Sequence, residues 1–295
     1  MTPHREHVFR VRRTVAVAVL LVGALGVGAL IAVLGLGRAG RHPAPVAGPL
    51  SLTTPMPTTV PILRTRRFEQ AKAVERVRRR LPYVAVAGRR ERQIALTFDD
   101  GPGPYTLRVL RVLDRLKVPA TFFQVGQAVD VFTDAERREI RDPSFVLANH
   151  TWSHKNLARL SADDQADQLD DASFAIYRAS GALPQLFRPP YGTLNETTLR
   201  LAAKRHLLPV LWSIDSQDYE RPGTRVIVRR VVDAARPGSI VLMHDAGGDR
   251  TQTVAALPAI IKQLRAKHYR FVTVPRLLHD SPPPRRQPKV QVGVG

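Results

Sequence analysis

Cysteine is absent from the 295 residues, which excludes disulfides and thiolate metal sites and leaves histidines and carboxylates as the good metal ligands. The absence is also compatible with an extracytoplasmic location. Acidic residues are scarce beside basic ones, 25 Asp and Glu against 45 Lys and Arg, for a net charge of +20. That excess is unevenly spread. Residues 1–13 carry +3, residues 38–93 carry +10 and residues 281–295 carry +3, which leaves only +4 on residues 94–280. No nucleic-acid-binding motif accompanies the basic flanks, so they point to anionic lipid headgroups or anionic wall polymer rather than nucleic acid. Charge of either sign is missing from residues 14–37, and internal repeats are missing throughout. Hydrophobic residues make up 44% of the chain, enough for a sizeable core and too many for a disordered protein.

The uncharged run of 24 residues from Thr14 to Gly37 spans about 36 Å as a helix, enough for a bilayer. It is longer than the apolar core of a cleaved signal peptide, and the Arg38–Pro43 stretch offers a poor cleavage site. Four arginines precede the run (Arg5, Arg10, Arg12, Arg13) and two follow it closely (Arg38, Arg41), which favours a cytoplasmic segment 1–13, an anchor at 14–37 and everything after it outside. Secretion after signal cleavage is the alternative. Pro43 to Pro61 reads as an extended stalk. From Arg66 to Leu81 the spacing of Phe68, Ala71, Val74, Val77 and Leu81 among basic residues predicts a short amphipathic helix, either packed on the domain's edge or in contact with membrane or polymer. Stalk and helix together occupy 38–82.

Residues 83–280 form the candidate domain. Tyr83–Ala87, a Gly88-Arg89-Arg90 turn and Gln93–Phe98 read as a hairpin into a first strand. Helices and short apolar strands then alternate to Val274, which predicts a parallel sheet able to close through right-handed crossovers. Ser281 to Gly295, rich in Pro and Arg, reads as a disordered tail.

The chemistry-bearing clusters fall at or just beyond the carboxyl ends of apolar segments, where a parallel α/β barrel gathers its active site. Asp99-Asp100-Gly101-Pro102 places two carboxylates side by side at the mouth of a strand, costly unless something positive holds them. His150 and His154 lie four apart, on one face if the segment is helical. Arg188 sits before a stiff Pro-Pro turn, Asp215 and Asp218 follow another strand, and His244 ends the Ser239–Met243 run.

These five clusters, in this order from about Gln93 to Leu278, resemble the polysaccharide deacetylases with a NodB homology domain, carbohydrate esterase family 4. The resemblance implies a distorted (β/α) barrel of the NodB type. It implies that Asp100, His150 and His154 hold a divalent metal, zinc by the ligand set, with cobalt, nickel or manganese also compatible. It further implies that Asp99 is the general base, held charged and aimed by Arg188, and that the Tyr191 backbone N–H stabilises the oxyanion. His244 would be the general acid, with Asp218 raising its basicity, and Leu242 would line the pocket for the acetyl methyl. The family's fourth motif commonly ends Asp-Trp, whereas this chain has Asp218-Tyr219, a departure that leaves Tyr219 able to wall a sugar groove but leaves the groove's shape and substrate preference open. The activity expected is removal of N-acetyl groups from amino sugars of a polymeric glycan, with cell-wall peptidoglycan ahead of chitin oligomers. An O-acetyl esterase acting on xylan-like polymer and an inactive wall-binding module are the alternatives. His206, His268 and His279 match no motif.

Overall fold

The computed structural model describes residues 59–288. Segment 1–13, the expected anchor 14–37 and the stalk up to residue 58 lie outside the described residues. Among those described, no helix is long and apolar enough to cross a membrane.

The organising element is β1 (Gln93–Asp99), buried along all seven residues. Its run of Ile94, Ala95, Leu96 and Phe98 is continuous rather than alternating because both faces of a parallel strand are covered. β1 pairs in parallel with β2 (Ala120–Gln124), with β7 (Ser239–His244) and, at its start, with β8 (Arg270–Phe271). The sheet continues outward through β3 (Phe145–Asn149), β4 (Leu186–Phe187) and β5 (Leu208–Pro209) on one side and β6 (Ile214–Asp215) on the other, giving the order β5-β4-β3-β2-β1-β7-β6. The result is a curled parallel half-barrel clothed by helices.

Packing follows the pleat. Ile94, Leu96 and Phe98 join Phe122, Val241 and Met243 beneath the outer helices, among them α2 (Thr106–Leu116), α7 (Thr224–Ala234) and α8 (Thr251–Ala266). Ala95, one pleat over, faces inward with Phe123 and Ile240, and Thr97 and Asp99 share its face. That inner face is closed by α1 (Thr59–Arg78) and α9 (Val274–Asp280), through Val74, Val77, Leu277 and Leu278. Each such aliphatic side chain contributes roughly 1.5–3 kcal/mol on burial.

Three expectations need correction here. α1 starts at Thr59, so the last residues of the expected stalk are helical, with Pro61 in the first turn where its missing N–H costs nothing. Its apolar stripe is buried in the domain core, and the expected boundary at residue 82 does not separate it from the strands. The expected hairpin does not form, because β1 is already flanked on both sides. Val84 instead bridges to Val210 and Val86 to Ser239. The Ser281–Pro288 part of the tail, expected to be disordered, is ordered. Ser281 is buried, its carbonyl accepts from Gly88 N (2.9 Å), and Gln287 Oε1 accepts from Ala85 N and Val86 N (2.8 and 3.1 Å). The side chains of this polar tail satisfy amides that no strand pairs with. Residues 289–295 lie outside the described residues.

Candidate active site at the carboxyl ends of the strands

Asp99 ends β1 on the inner face, and the chain then turns through Asp100 in the left-handed region (φ 74°). That conformation is unfavourable for most side chains and tolerated by Asp. The turn is possible because its neighbours lack side chains. A Cβ on Gly101 would lie 2.4 Å from Asp245 Oδ2, and one on Gly247 would lie 2.1 Å from Asp100 Oδ2.

Asp99 faces Arg188, which is wholly buried just beyond β4. Arg188 Nη1 donates to Asp99 Oδ1 (2.7 Å) and to Thr97 Oγ1 (2.7 Å). Its Nε and Nη2 donate to the carbonyls of Val210 (3.0 Å) and Leu211 (3.2 Å), and its guanidinium lies 4.1 Å from the Phe123 ring centroid. Four of the five N–H donors of the fork are therefore tied to buried acceptors, which holds the guanidinium in place against Asp99.

His150 follows β3 directly, and its Nδ1 contacts the Arg188 carbonyl at 2.7 Å. A carbonyl only accepts, so Nδ1 carries the proton and the Nε2 lone pair points the other way, at Asp100. His154 does not reach the site on a helix, as the i, i+4 spacing allowed. Thr151 (φ 69°) and His154 (φ 55°) are left-handed, and a loop brings the two rings to 5.0 Å between centroids. His150 Nε2 and His154 Nε2 stand 3.5 and 3.2 Å from Asp100 Oδ1.

On the far side, His244 ends β7 in register with Asp99. Its Nδ1 donates to Asp218 Oδ1 (2.7 Å), while Asp218 Oδ2 accepts from the His244 backbone N–H (2.9 Å) and from Thr253 Oγ1 (2.7 Å). Burial opposes the imidazolium, but Asp218, with help from Asp100 and Asp99, outweighs it and pushes His244 up to about 9. Tyr191 (φ 60°) lies edge-on to His154 at 5.0 Å, and Tyr219 lies edge-on to His244 at 5.4 Å, its hydroxyl donating to Asp215 Oδ2 (3.2 Å). Both rings are about two-fifths exposed. Leu242 packs with Ala85, Leu211 and Trp212. The residues singled out from sequence thus share one end of the sheet, whereas His206 and His279 contact Arg78 and Asp280 elsewhere. Sequence reasoning missed Thr97 and Thr253. Thr97 is detectable in hindsight, two residues before Asp99 on the same face. Thr253 carries no local signal.

The Asp100, His150 and His154 set suits a metal ion. Their ligand atoms all lie within 4.8 Å of one another, and Asp100 Oδ1 is buried with no hydrogen-bond partner. Two ligands at about 2.05 Å in tetrahedral array stand about 3.3 Å apart, close to the two carboxylate–imidazole separations of 3.5 and 3.2 Å. Their ionisation fits as well. Burial works against the Asp100 carboxylate, yet the three neighbouring histidines hold it well below the usual carboxylate range. Burial and His150 lower His154 to about 4, so its imidazole is neutral at pH 7, the form that ligates.

Comparison with known proteins agrees with this geometry. The family model described as polysaccharide deacetylase matches residues 87–210. A peptidoglycan-N-acetylglucosamine deacetylase of Bacillus cereus is 42% identical over 193 residues, covering 64% of this chain and 89% of that protein. The chain belongs to the polysaccharide deacetylase family. Within that family, a chitooligosaccharide deacetylase of a Bradyrhizobium species is 40% identical over 199 residues, 63% of this chain and 90% of the relative. A crystal structure of a peptidoglycan N-acetylglucosamine deacetylase bound to 4-naphthalen-1-yl-N-oxidanyl-benzamide superposes with a TM-score of 0.65 at 34% identity, over 67% of this deacetylase-family chain and 92% of that one. The family match ends at residue 210, so the Asp218–His244–Thr253 side of the site lies beyond it.

Proposed function

We propose that this domain is a metal-dependent hydrolase that removes N-acetyl groups from amino sugars of a cell-wall polysaccharide, with peptidoglycan the foremost substrate. The observation that carries the reading is a division of labour around Asp100. Its unpartnered oxygen faces two imidazole nitrogens, while a pinned carboxylate (Asp99) and a charged imidazole (His244) stand in register on adjacent strands. A divalent cation at Asp100, His150 and His154, zinc ahead of cobalt, would supply Lewis-acid polarisation and a more acidic water. Asp99, kept aimed by Arg188, accepts the proton of the attacking water. The Tyr191 backbone N–H donates to the developing oxyanion; the amides of Gly192 and Thr193 are already committed to the Pro189 and Pro190 carbonyls. His244 delivers its Nε2 proton to the departing amine, which cannot leave as an anion. Leu242 and its apolar neighbours receive the acetyl methyl, and Tyr191 and Tyr219 flank the sugar.

The relatives named above as peptidoglycan deacetylases support the substrate. The uncharged run at 14–37 and the arginines around it support membrane anchoring with the domain outside, and the basic flank suits anionic lipid or wall polymer. The test is acetate release by the full-length chain, with zinc, from peptidoglycan, chitooligosaccharide and acetylxylan. Release from the first at the highest rate is expected. Metal uptake without acetate from any of the three overturns the enzymatic reading in favour of a binding module, and preference for acetylxylan overturns the amide.

A further inference from the structure

Asp218 opens a single 3₁₀ turn, Asp218–Glu220, in the connection after β6. β6 is only two residues long, and Gln217 (φ 50°), Arg221 (φ 54°) and Gly223 (φ 100°) are all left-handed. No regular backbone ladder sets the direction of the Asp218 side chain there. What sets it are three donors, two from His244 itself and one from Thr253 on α8. Thr253 and Asp218 are 0% and 1% exposed, so water does not compete for either group. Asp218 is held below the ordinary carboxylate value, burial raising it but His244 and Thr253 outweighing that. An ionised carboxylate only accepts, and the threonine hydroxyl must therefore be the donor. A threonine inside a helix commonly donates back to a carbonyl three or four residues earlier; this one is spent on the loop instead. Gln252 Oε1, its neighbour, accepts from Gly223 N (2.7 Å) and ties the same loop to the same helical turn.

From this geometry we propose that Thr253 is a positioning residue for catalysis, locking the plane of the Asp218 carboxylate so that Oδ1 holds His244 Nδ1–H and Nε2 points at the leaving group. With only the His244 main-chain N–H on Oδ2, the carboxylate can swing about its last bond and the ring swings with it. The inference rests on the deacetylase reading above and adds a residue that lies outside the family match and outside all five sequence clusters.

The test compares Thr253→Val, which keeps the shape and removes the hydroxyl, with Thr253→Ser, which keeps the hydroxyl, in the full chain with zinc on peptidoglycan. The expected result for Thr253→Val is a kcat lowered roughly 10- to 100-fold, the range typical for removal of a residue that orients a reacting one, with KM unchanged. Thr253→Ser should restore most of the rate, and the Tm of Thr253→Val should fall by no more than about 2–4 °C. The exchange-protected proton on His244 Nδ1 gives an independent readout by NMR. It should be sharp in wild type and Thr253→Ser, and broadened in Thr253→Val. Should Thr253→Val fold poorly, the same substitution in a His244→Ala background decides, since a hydroxyl acting through the ring then has no further effect on the residual rate. Equal rates and spectra in wild type and Thr253→Val overturn the proposal, as does an equal loss in Thr253→Ser. A wild-type chain that releases no acetate overturns the deacetylase reading instead, and the proton signature still reports on the lock.

Discussion

Two sets of buried carboxylates sit near one another in this domain and are treated in opposite ways. Asp99, Asp100 and Asp218 each face a cation or an imidazole: Arg188, the His150–His154 pair and His244. Glu136 and Glu139, on the helix Thr133–Arg141, have no cation beside them: the side-chain amide of Gln124 donates to both, and the two carboxyl groups hydrogen-bond each other. Burial pushes Glu136 up to about 7, and burial with Asp245 and Glu136 beside it drives Glu139 well above its usual range. Asp100 and Asp218 stay ionised because their partners compensate for lost water. The second set is pushed toward the neutral form because one neutral amide does not offset the lost water. In this domain the acids assigned to chemistry are the ones the fold supplies with a positive or imidazole neighbour.

The sharpest way to break this contrast is at the pinned set. Asp99→Asn and His150→Ala should each lower acetate release by about 10²–10⁴-fold or more, the scale of a lost general base or a lost ligand. Titration calorimetry should separate them, with zinc bound by Asp99→Asn and not by His150→Ala; equal zinc affinities would place the metal elsewhere. Removing Arg188 as Arg188→Met leaves Asp99 buried and unpaired, which should cost about 3–5 kcal/mol in chemical denaturation.

Next in size is the pH profile. His244 is raised from 6.5 to about 9, so its proton-donating form persists through neutral pH and is lost as pH rises through about 9. The rate should fall on that alkaline limb, and Asp218→Asn, which removes the largest favourable partner, should move the limb to lower pH. A limb that stays in place in Asp218→Asn would take His244 out of the acid role.

The smallest effects belong to the second set. A carboxyl whose folded value is raised from 4.5 to about 7 stabilises the fold fully below pH 4.5 and loses that contribution as pH rises through about 7. Glu136→Gln keeps the neutral shape, so its Tm should gain on wild type progressively from pH 5 to pH 8 while acetate release is unchanged. A Tm difference independent of pH would mean that Glu136 is ionised throughout. Tyr219→Trp should alter preference among glycans by only a few-fold.

The described part of the barrel was largely legible. The buried run before Asp99 and the strand–helix alternation predict a parallel sheet with its chemistry at one end, and the strand pairings have that form. The misreadings share a cause. Val84 and Val86 alternate like hairpin residues, yet pair with Val210 and Ser239 because β1 had no free edge. The polar tail after Ser281 has no core of its own and is ordered by amides it finds at residues 85–91.

Taken alone, the order of residues determined which groups exist to do chemistry: no thiol, two acids together at a strand end, histidines four apart, a histidine closing another strand. Tertiary structure alone decided what each can do. Left-handed turns at Asp100, Thr151 and His154 bring three potential ligand atoms within 4.8 Å of one another, Arg188 is pinned by carbonyls more than twenty residues away, and Thr253 meets Asp218 across 35 residues of chain. Charge and direction at a buried group depend on partners that approach through space, and no local pattern encodes them.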